Sequence, residues 1–102
     1  MKISDFQNFY KLNKIVWSTH GLARMQERDI SIADIGNCIL NGEIIEEYTE
    51  EPPSKSSALL FYKNENKAIH VVLGIDEEQI YFVTAYIPTS DKFEENMKTR
   101  RK

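Results

Sequence analysis

The sequence predicts an α+β domain in which N-terminal helices pack on a four-stranded antiparallel sheet, followed by a short C-terminal helix. Two patterns support this prediction. Apolar residues recur at helical spacing up to Gly42, and the period then changes to the alternation of β-strands. Polar turn segments separate the strands, which favours a meander of hairpins with the helices on one sheet face.

Helices are predicted before Gly42 over residues 3–13, 18–28 and 31–41, with 15–17 as a short apolar link or strand. Ser18 or Thr19 can cap the second helix. Ser31 begins the third with a sequence typical of a capping box, in which Asp34 stands at the N3 position. We expect Gly42 to end this helix in the left-handed conformation that glycine adopts readily.

Strands are predicted over residues 44–48, 58–62, 68–74 and 80–87. The segment 50–57 is predicted to be a loop, because its two prolines cannot join a central ladder. Ser90 is expected to cap a last helix with Phe93 and Met97 on one face. Side chains alternate along a strand, so we expect His70 to lie on the opposite face of the sheet from its neighbours Ile69 and Val71.

Length and composition favour a small globular protein. With 102 residues, 41% hydrophobic and 28% charged, the chain is predicted to form a single domain over residues 1–102. No apolar run approaches the roughly 20 residues of a membrane span, and residues 1–6 lack the apolar segment of a signal peptide. The single cysteine, Cys38, excludes an internal disulfide and favours a cytoplasmic location.

The net charge of −3 argues against a protein that binds nucleic acid over its whole surface. Basic residues nevertheless concentrate in residues 1–28 and 98–102, and acidic residues concentrate between them, with a cluster at Glu43, Glu46, Glu47, Glu50 and Glu51. If the basic ends meet in space, one face attracts phosphate. The alternative is a solvated charged surface with a polar tail.

The two histidines, His20 and His70, are the candidate proton carriers, because histidine titrates near neutral pH. Arg24 and Arg28 follow His20 at helical spacing, and positive charge beside a proton carrier suits metal-free phosphodiester cleavage. The alternatives are a histidine that caps a helix, a buried hydrogen-bonded histidine in a sheet, and an Arg28 that forms an ion pair with nearby acids.

Four motifs resemble a bacterial family, the domain of unknown function 4258. They are Ser18 to Arg28 (Ser-x-His-x-x-x-Arg-Met-x-x-Arg), Gly42 to Tyr48, His70 to Val72 and Val83 to Pro88. The family is similar in element order to the RelE-like and BrnT-like toxins, whose wider fold group includes metal-independent ribonucleases. The chain departs from the usual pattern at Gly21, where alanine is commoner, and at Asp29, where glycine is commoner.

The residues and the resemblance together suggest a RelE-like, toxin-type ribonuclease that acts on RNA and that an antitoxin protein holds inactive. The proposed catalytic residues are His20, His70, Arg24 and Thr84. The proposed substrate-binding residues are Arg28, Tyr86, Lys98, Arg100 and Arg101. We expect no metal and no cofactor, because a lone cysteine and two distant histidines make a poor metal site and no nucleotide-binding motif is present. The alternative is a non-catalytic partner-binding module on the same scaffold.

Overall fold

A computed structural model describes residues 1–48 and 56–101 of the chain. Its elements are α1 (Ile3–Lys11), β1 (Ile15–Val16), α2 (Thr19–Glu27), α3 (Ile32–Asn41), β2 (Glu43–Tyr48), β3 (Ser56–Lys63), β4 (Ala68–Ile75) and β5 (Ile80–Tyr86). The three N-terminal helices and the four longer strands agree with the sequence prediction. The predicted loop over residues 50–57 lies mostly outside the described residues, and residues 56 and 57 already belong to β3.

The sheet has five strands in the order β1-β5-β4-β3-β2. Strands β2 to β5 form the predicted antiparallel meander, but β1 pairs parallel with the beginning of β5. The sheet is therefore mixed, and the prediction of four antiparallel strands is wrong in this respect. The physical reason is a backbone hydrogen bond of 3.0 Å from the N–H of Ile80 to the carbonyl of Lys14, which aligns the extended segment Ile15–Val16 with β5.

The helices cover one face of the sheet, as the change of period predicts. Ile69, Val71 and Leu73 of β4 face the helices and are almost fully buried. They form one core with apolar residues from α1, α2 and α3, among them Phe6, Met25 and Ile39. Strand alternation sends His70 to the opposite face, which we call the second face.

Local capping agrees with the sequence except at Gly42. The Ser18 hydroxyl accepts from the N–H of Gly21 at 2.9 Å, and Ser31 and Asp34 form the predicted capping box. Gly42 has a φ of −91°, so the expected left-handed conformation is absent. Glycine is needed for space instead, because a Cβ there would lie 2.4 Å from the Cys38 carbonyl oxygen and 2.5 Å from that of Phe61.

The predicted C-terminal helix is wrong. Residues 88–101 form turns and an isolated bridge between Phe93 and Arg100, and we call this segment the C-terminal strap. The helix is interrupted because Asn96 accepts the N–H groups of Lys98 and Thr99, and Met97 takes a φ of 61°. The strap lies on the second face, where the ring of Phe93 is buried.

Candidate functional site

His70 occupies the centre of the second face and is fully buried. Its Nδ1 lies 3.3 Å from the hydroxyl of Tyr86 on the adjacent strand, and its Nε2 lies 2.6 Å from the backbone carbonyl oxygen of Met97 in the strap. A carbonyl oxygen can only accept, so Nε2 carries the proton. Burial lowers the pKa of His70 despite the opposing effects of Met97 and Glu46, and the ring is neutral at pH 7.

Aromatic rings enclose the imidazole. The ring of Phe93 meets it edge to face at a centroid distance of 4.5 Å, and the rings of Tyr86 and Phe61 lie 5.2 Å and 5.8 Å away. Such packing fixes the orientation of the imidazole plane. His70 therefore acts on any ligand only through the groups that it holds, chief among them Tyr86.

Tyr86 also lines a surface cleft of about 560 Å³ between the end of α2, the end of β5 and the strap. The lining residues described are Arg28, Tyr86, Ile87, Thr89, Lys92, Phe93 and Arg100. Three of them carry a positive charge and none of them carries a carboxylate. Burial raises the pKa of Tyr86, so its side chain is a hydroxyl and not a phenolate at neutral pH. The arrangement suits an anion with a hydrogen-bonding group beside it.

Arg28 reaches the cleft from the C-cap of α2. Its Nη1 donates to the carbonyl oxygen of Ala85 at 2.8 Å and lies 3.4 Å from the hydroxyl oxygen of Thr84. These contacts hold the guanidinium against β5. Because a guanidinium has five N–H donors in a rigid fork, the remaining donors of Arg28 are available to a ligand.

Arg100 enters the cleft from the strap and is held by Glu46 of β2. Its Nε lies 2.7 Å from the Glu46 carboxylate, and its guanidinium lies 5.0 Å from the centre of the Phe93 ring. Glu46 also accepts from the hydroxyl of Tyr48. Burial acts to raise the pKa of Glu46, but the hydrogen bonds from Arg100 and Tyr48 outweigh it and lower that pKa. The carboxylate is therefore ionised and fixes the position of Arg100.

The two histidines lie on opposite sides of the sheet. His20 is exposed in the first turn of α2, a helix that packs on the face of Ile69 and Val71, whereas His70 is buried on the second face. Arg24 is paired with Glu27 on its own helix at 2.9 Å and does not line the cleft. Helical spacing places Arg24 near His20, but neither residue approaches His70.

Of the other site residues predicted from the sequence, some contribute to the cleft and some do not. Arg28, Tyr86 and Arg100 line the cleft, and Thr84 joins them through Arg28. Lys98 instead pairs with Glu43 at 2.6 Å, and the Arg101 side chain donates to the carbonyl of Ser90. Within residues 1–48 and 56–101, the basic C-terminus therefore meets acidic β2 in two ion pairs.

The sequence analysis did not propose Lys92, Thr89 or Glu46 as site residues. Lys92 was expected to belong to the helix capped by Ser90, but the carbonyl of Thr89 accepts the N–H groups of Lys92 and Phe93 in a turn. The signal that could have revealed this turn is the segment Pro88 to Asp91, whose residue types are typical of turns. Glu46 was noted only as part of the acidic cluster, and its pairing with Arg100 could not be predicted because the two residues are distant in sequence.

Within the described ranges, no three His, Cys, Asp or Glu side chains are grouped so as to hold a metal ion. The same residues include no helix that is long and apolar enough to cross a membrane. Cys38 is buried in the core, and burial raises the pKa of its thiol to about 12, which makes it a structural residue.

Comparison with known proteins identified one family model, described as a domain of unknown function (DUF4258), over residues 17–87. This range contains α2, α3 and the whole of the sheet except β1, and it ends just before the strap. No curated protein and no solved structure matched the chain. Within the cleft, Arg28 and Tyr86 lie inside the matched range, and Lys92 and Arg100 lie beyond it.

Proposed function

The chain belongs to the family described as a domain of unknown function (DUF4258), and we propose that it binds RNA in the cationic cleft and cleaves it without a metal ion. The observation that carries this proposal is the convergence of Arg28, Lys92, Arg100 and the Tyr86 hydroxyl on one cleft. Guanidinium groups bind phosphates through paired hydrogen bonds, and a hydroxyl beside them supports proton transfer.

In the proposed reaction the ribose 2′ oxygen attacks the neighbouring phosphorus and the bond to the 5′ oxygen breaks, which produces a 2′,3′-cyclic phosphate. Arg28 and Arg100 stabilise the charge that develops on the phosphate oxygens. The Tyr86 oxygen accepts the 2′-hydroxyl proton while Tyr86 passes its own proton to Nδ1 of His70, and water protonates the departing 5′ oxygen. Lys92 supplies further positive charge. This assignment moves the chemistry away from the pair His20 and His70, which the sheet separates.

The proposal includes a RelE-like, toxin-type role with a cognate antitoxin as partner. It is supported by the order of helices followed by the antiparallel strands β2 to β5, which is the order that the resemblance to that fold group implies. Such a role requires a partner that covers the cleft. Because the cleft is cationic, we expect an acidic segment of the antitoxin to occupy it.

RNA cleavage in the presence of a chelator tests the proposal. The wild-type protein should cleave a single-stranded RNA and leave a 2′,3′-cyclic phosphate end, and one 2′-deoxy nucleotide at the cleaved position should block the reaction. Arg28→Ala and Tyr86→Phe should each lower the rate at least tenfold. Arg24→Ala is the matched control, since Arg24 is a cation on the same helix outside the cleft, and it should leave the rate unchanged.

The second candidate is a non-catalytic partner-binding module. It is favoured by the net charge of −3 and by the ion pairs of Lys98 and Arg100, which neutralise part of the strap. If the protein binds an acidic peptide in an Arg28-dependent manner but leaves RNA intact under all of these conditions, this function replaces the ribonuclease.

A further inference from the structure

We infer that the Tyr86–His70 pair makes the cleft selective for the ribose 2′-hydroxyl, and therefore for RNA over DNA. The inference rests on the proposed function, because it concerns the ligand of the same cleft. It goes further by assigning the discrimination to one hydroxyl group and by giving the buried His70 the role of a positioning residue. The argument depends on the direction of three hydrogen bonds.

The first step is the proton on His70. Its Nε2 lies 2.6 Å from the carbonyl oxygen of Met97, which can only accept, so the proton of the neutral ring is on Nε2. The other nitrogen, Nδ1, is then an acceptor. The group within hydrogen-bonding distance of Nδ1, at 3.3 Å, is the Tyr86 hydroxyl. Tyr86 therefore donates its single proton inward to His70.

The second step is what remains for a ligand. Arg100 also donates a side-chain hydrogen bond to the Tyr86 oxygen. With its own proton directed at Nδ1, Tyr86 therefore presents only its remaining lone pair to the cleft. A phosphate oxygen also has only lone pairs at neutral pH, so the two repel each other. A ribose 2′-hydroxyl has a proton to donate and can bond to Tyr86. The cations of the cleft, Arg28, Lys92 and Arg100, take the phosphate, and Tyr86 takes the sugar.

The third step is the rigidity of the arrangement. The Phe93 and Phe61 rings hold the imidazole edge to face, so His70 cannot turn to exchange its two nitrogens without disturbing both rings. The strap that supplies the Met97 carbonyl is itself tied to β2 by Lys98–Glu43 and Arg100–Glu46. The direction of the Tyr86 proton is thus determined before a ligand arrives. This lets the cleft distinguish a ligand that has a hydroxyl donor from one that lacks it.

Two substitutions of His70 separate this role from a purely structural one. In His70→Gln the amide nitrogen reaches the position of Nε2 and keeps the bond to Met97, but no acceptor remains for Tyr86. In His70→Asn the amide oxygen occupies the position of Nδ1 and keeps the acceptor, but the bond to Met97 is lost. A structural role predicts similar binding defects in both variants, whereas a positioning role predicts loss of selectivity in His70→Gln alone.

The experiment measures the affinity of RNA and DNA oligonucleotides of one sequence at fixed salt, over a period in which a gel shows that the RNA is intact. The wild type should prefer RNA about 5- to 10-fold, which is the range of one hydrogen bond. Tyr86→Phe and His70→Gln should reduce the preference to less than twofold by weakening RNA binding, and His70→Asn should retain it. Equal affinity of the wild type for RNA and DNA, or an unchanged preference in Tyr86→Phe, would overturn the inference.

A change in the ligand tests the same point without altering the protein. RNA with 2′-O-methyl or 2′-fluoro groups lacks the donor, and we expect it to bind the wild type as weakly as DNA. If the modified RNA binds like unmodified RNA, the selectivity comes from sugar conformation and the inference fails. This test uses only the wild-type protein, so it remains decisive if a His70 variant does not fold. If neither RNA nor DNA binds, the proposed function itself fails, and this outcome is distinct from binding without selectivity.

Discussion

His70 donates a hydrogen bond of 2.6 Å from Nε2 to the backbone carbonyl of Met97, and this bond joins the centre of the sheet to the C-terminal strap. Both partners lie on the second face, away from the helices. The strap thereby completes a small aromatic cluster around His70 and supplies two of the three cations of the cleft, Lys92 and Arg100. The stability of the strap and the chemistry of the cleft are therefore linked through one imidazole.

The first prediction concerns pH and His70. Burial lowers the pKa of His70 in the folded protein below its ordinary value of 6.5, so the unfolded chain binds the proton more tightly. The contribution of the neutral ring to stability is present above pH 6.5 and is lost as the pH falls from there through the folded-state pKa. Urea denaturation of the wild type and of His70→Gln between pH 7.5 and 5.5 measures it.

We expect the wild type to lose more stability than His70→Gln over that range. The charged or titratable groups that act on His70 belong to Glu46, Arg100 and Tyr86. The pKa of Glu46 is lowered and that of Tyr86 is raised, so neither group titrates between pH 5.5 and 7.5. Parallel curves for the two proteins would show that His70 has the same pKa in the folded and unfolded states.

A second prediction concerns Phe93, whose side chain is only 1% exposed and packs on His70. Phe93→Ala should destabilise the protein by about 3 kcal/mol, the lower end of the usual cost of removing a buried aromatic ring, because the strap can partly collapse onto the space. The measurement is the midpoint of urea denaturation. Leu12→Ala is a suitable control, since Leu12 is 66% exposed and should change stability by less than about 0.5 kcal/mol.

A third prediction concerns Asp29, which follows α2 with a φ of 56°. A side chain in this left-handed conformation costs about 1 kcal/mol, and glycine avoids that cost. Asp29→Gly should raise the free energy of unfolding by about 0.5 kcal/mol after the greater freedom of glycine in the unfolded chain is included. The bond from Lys67 to the Asp29 carbonyl involves only the backbone of residue 29 and should survive. A loss of stability in this variant would contradict the argument.

A fourth prediction concerns Gly21, where glycine is required and its replacement should lower stability. A Cβ on Gly21 would lie 2.7 Å from two ring atoms of Phe82 and 2.7 Å from the Ser18 hydroxyl oxygen that caps α2. Gly21→Ala should therefore lower the melting temperature, at a cost of about 1–3 kcal/mol for the displaced ring. Gly21→Ala together with Phe82→Leu should recover part of the loss, and failure to recover any would show that the cap, and not the ring, is the obstacle.

Sequence patterns anticipated the elements whose period is sustained over several residues. The helices before Gly42 and the strands β2 to β5 belong to this class. Strand β1 is two residues long, too short for any period, and its parallel pairing depends on a distant backbone. The strap has Phe93 and Met97 at helical spacing, yet their partners are on the sheet, and tertiary packing outweighed local periodicity.

Some of the residues proposed from the sequence line the cleft and others do not, for a related reason. Arg28 is the C-cap of α2 and Tyr86 is the last residue of β5, and these two element ends border the cleft. His20 and His70 were proposed as residues of one site because helical spacing relates His20 to Arg24, and strand alternation relates His70 to Thr84. Neither pattern relates the position of His20 to that of His70 across the sheet. That relationship is established only by the assembled core.

The last prediction concerns the salt dependence of RNA binding. Each phosphate contact that a cation makes adds about 0.7 to the slope of log affinity against log salt concentration for a single strand. Arg28→Ala should lower that slope by about 0.7 and weaken binding at low salt, because Arg28 lines the cleft and its contacts with the rest of the protein are neutral oxygens. Lys98→Ala should leave the slope unchanged, since Lys98 is already paired with Glu43 at 2.6 Å and does not line the cleft. Equal slopes for wild type and Arg28→Ala would place the RNA elsewhere on the surface, and a reduced slope for Lys98→Ala alone would place it along the strap.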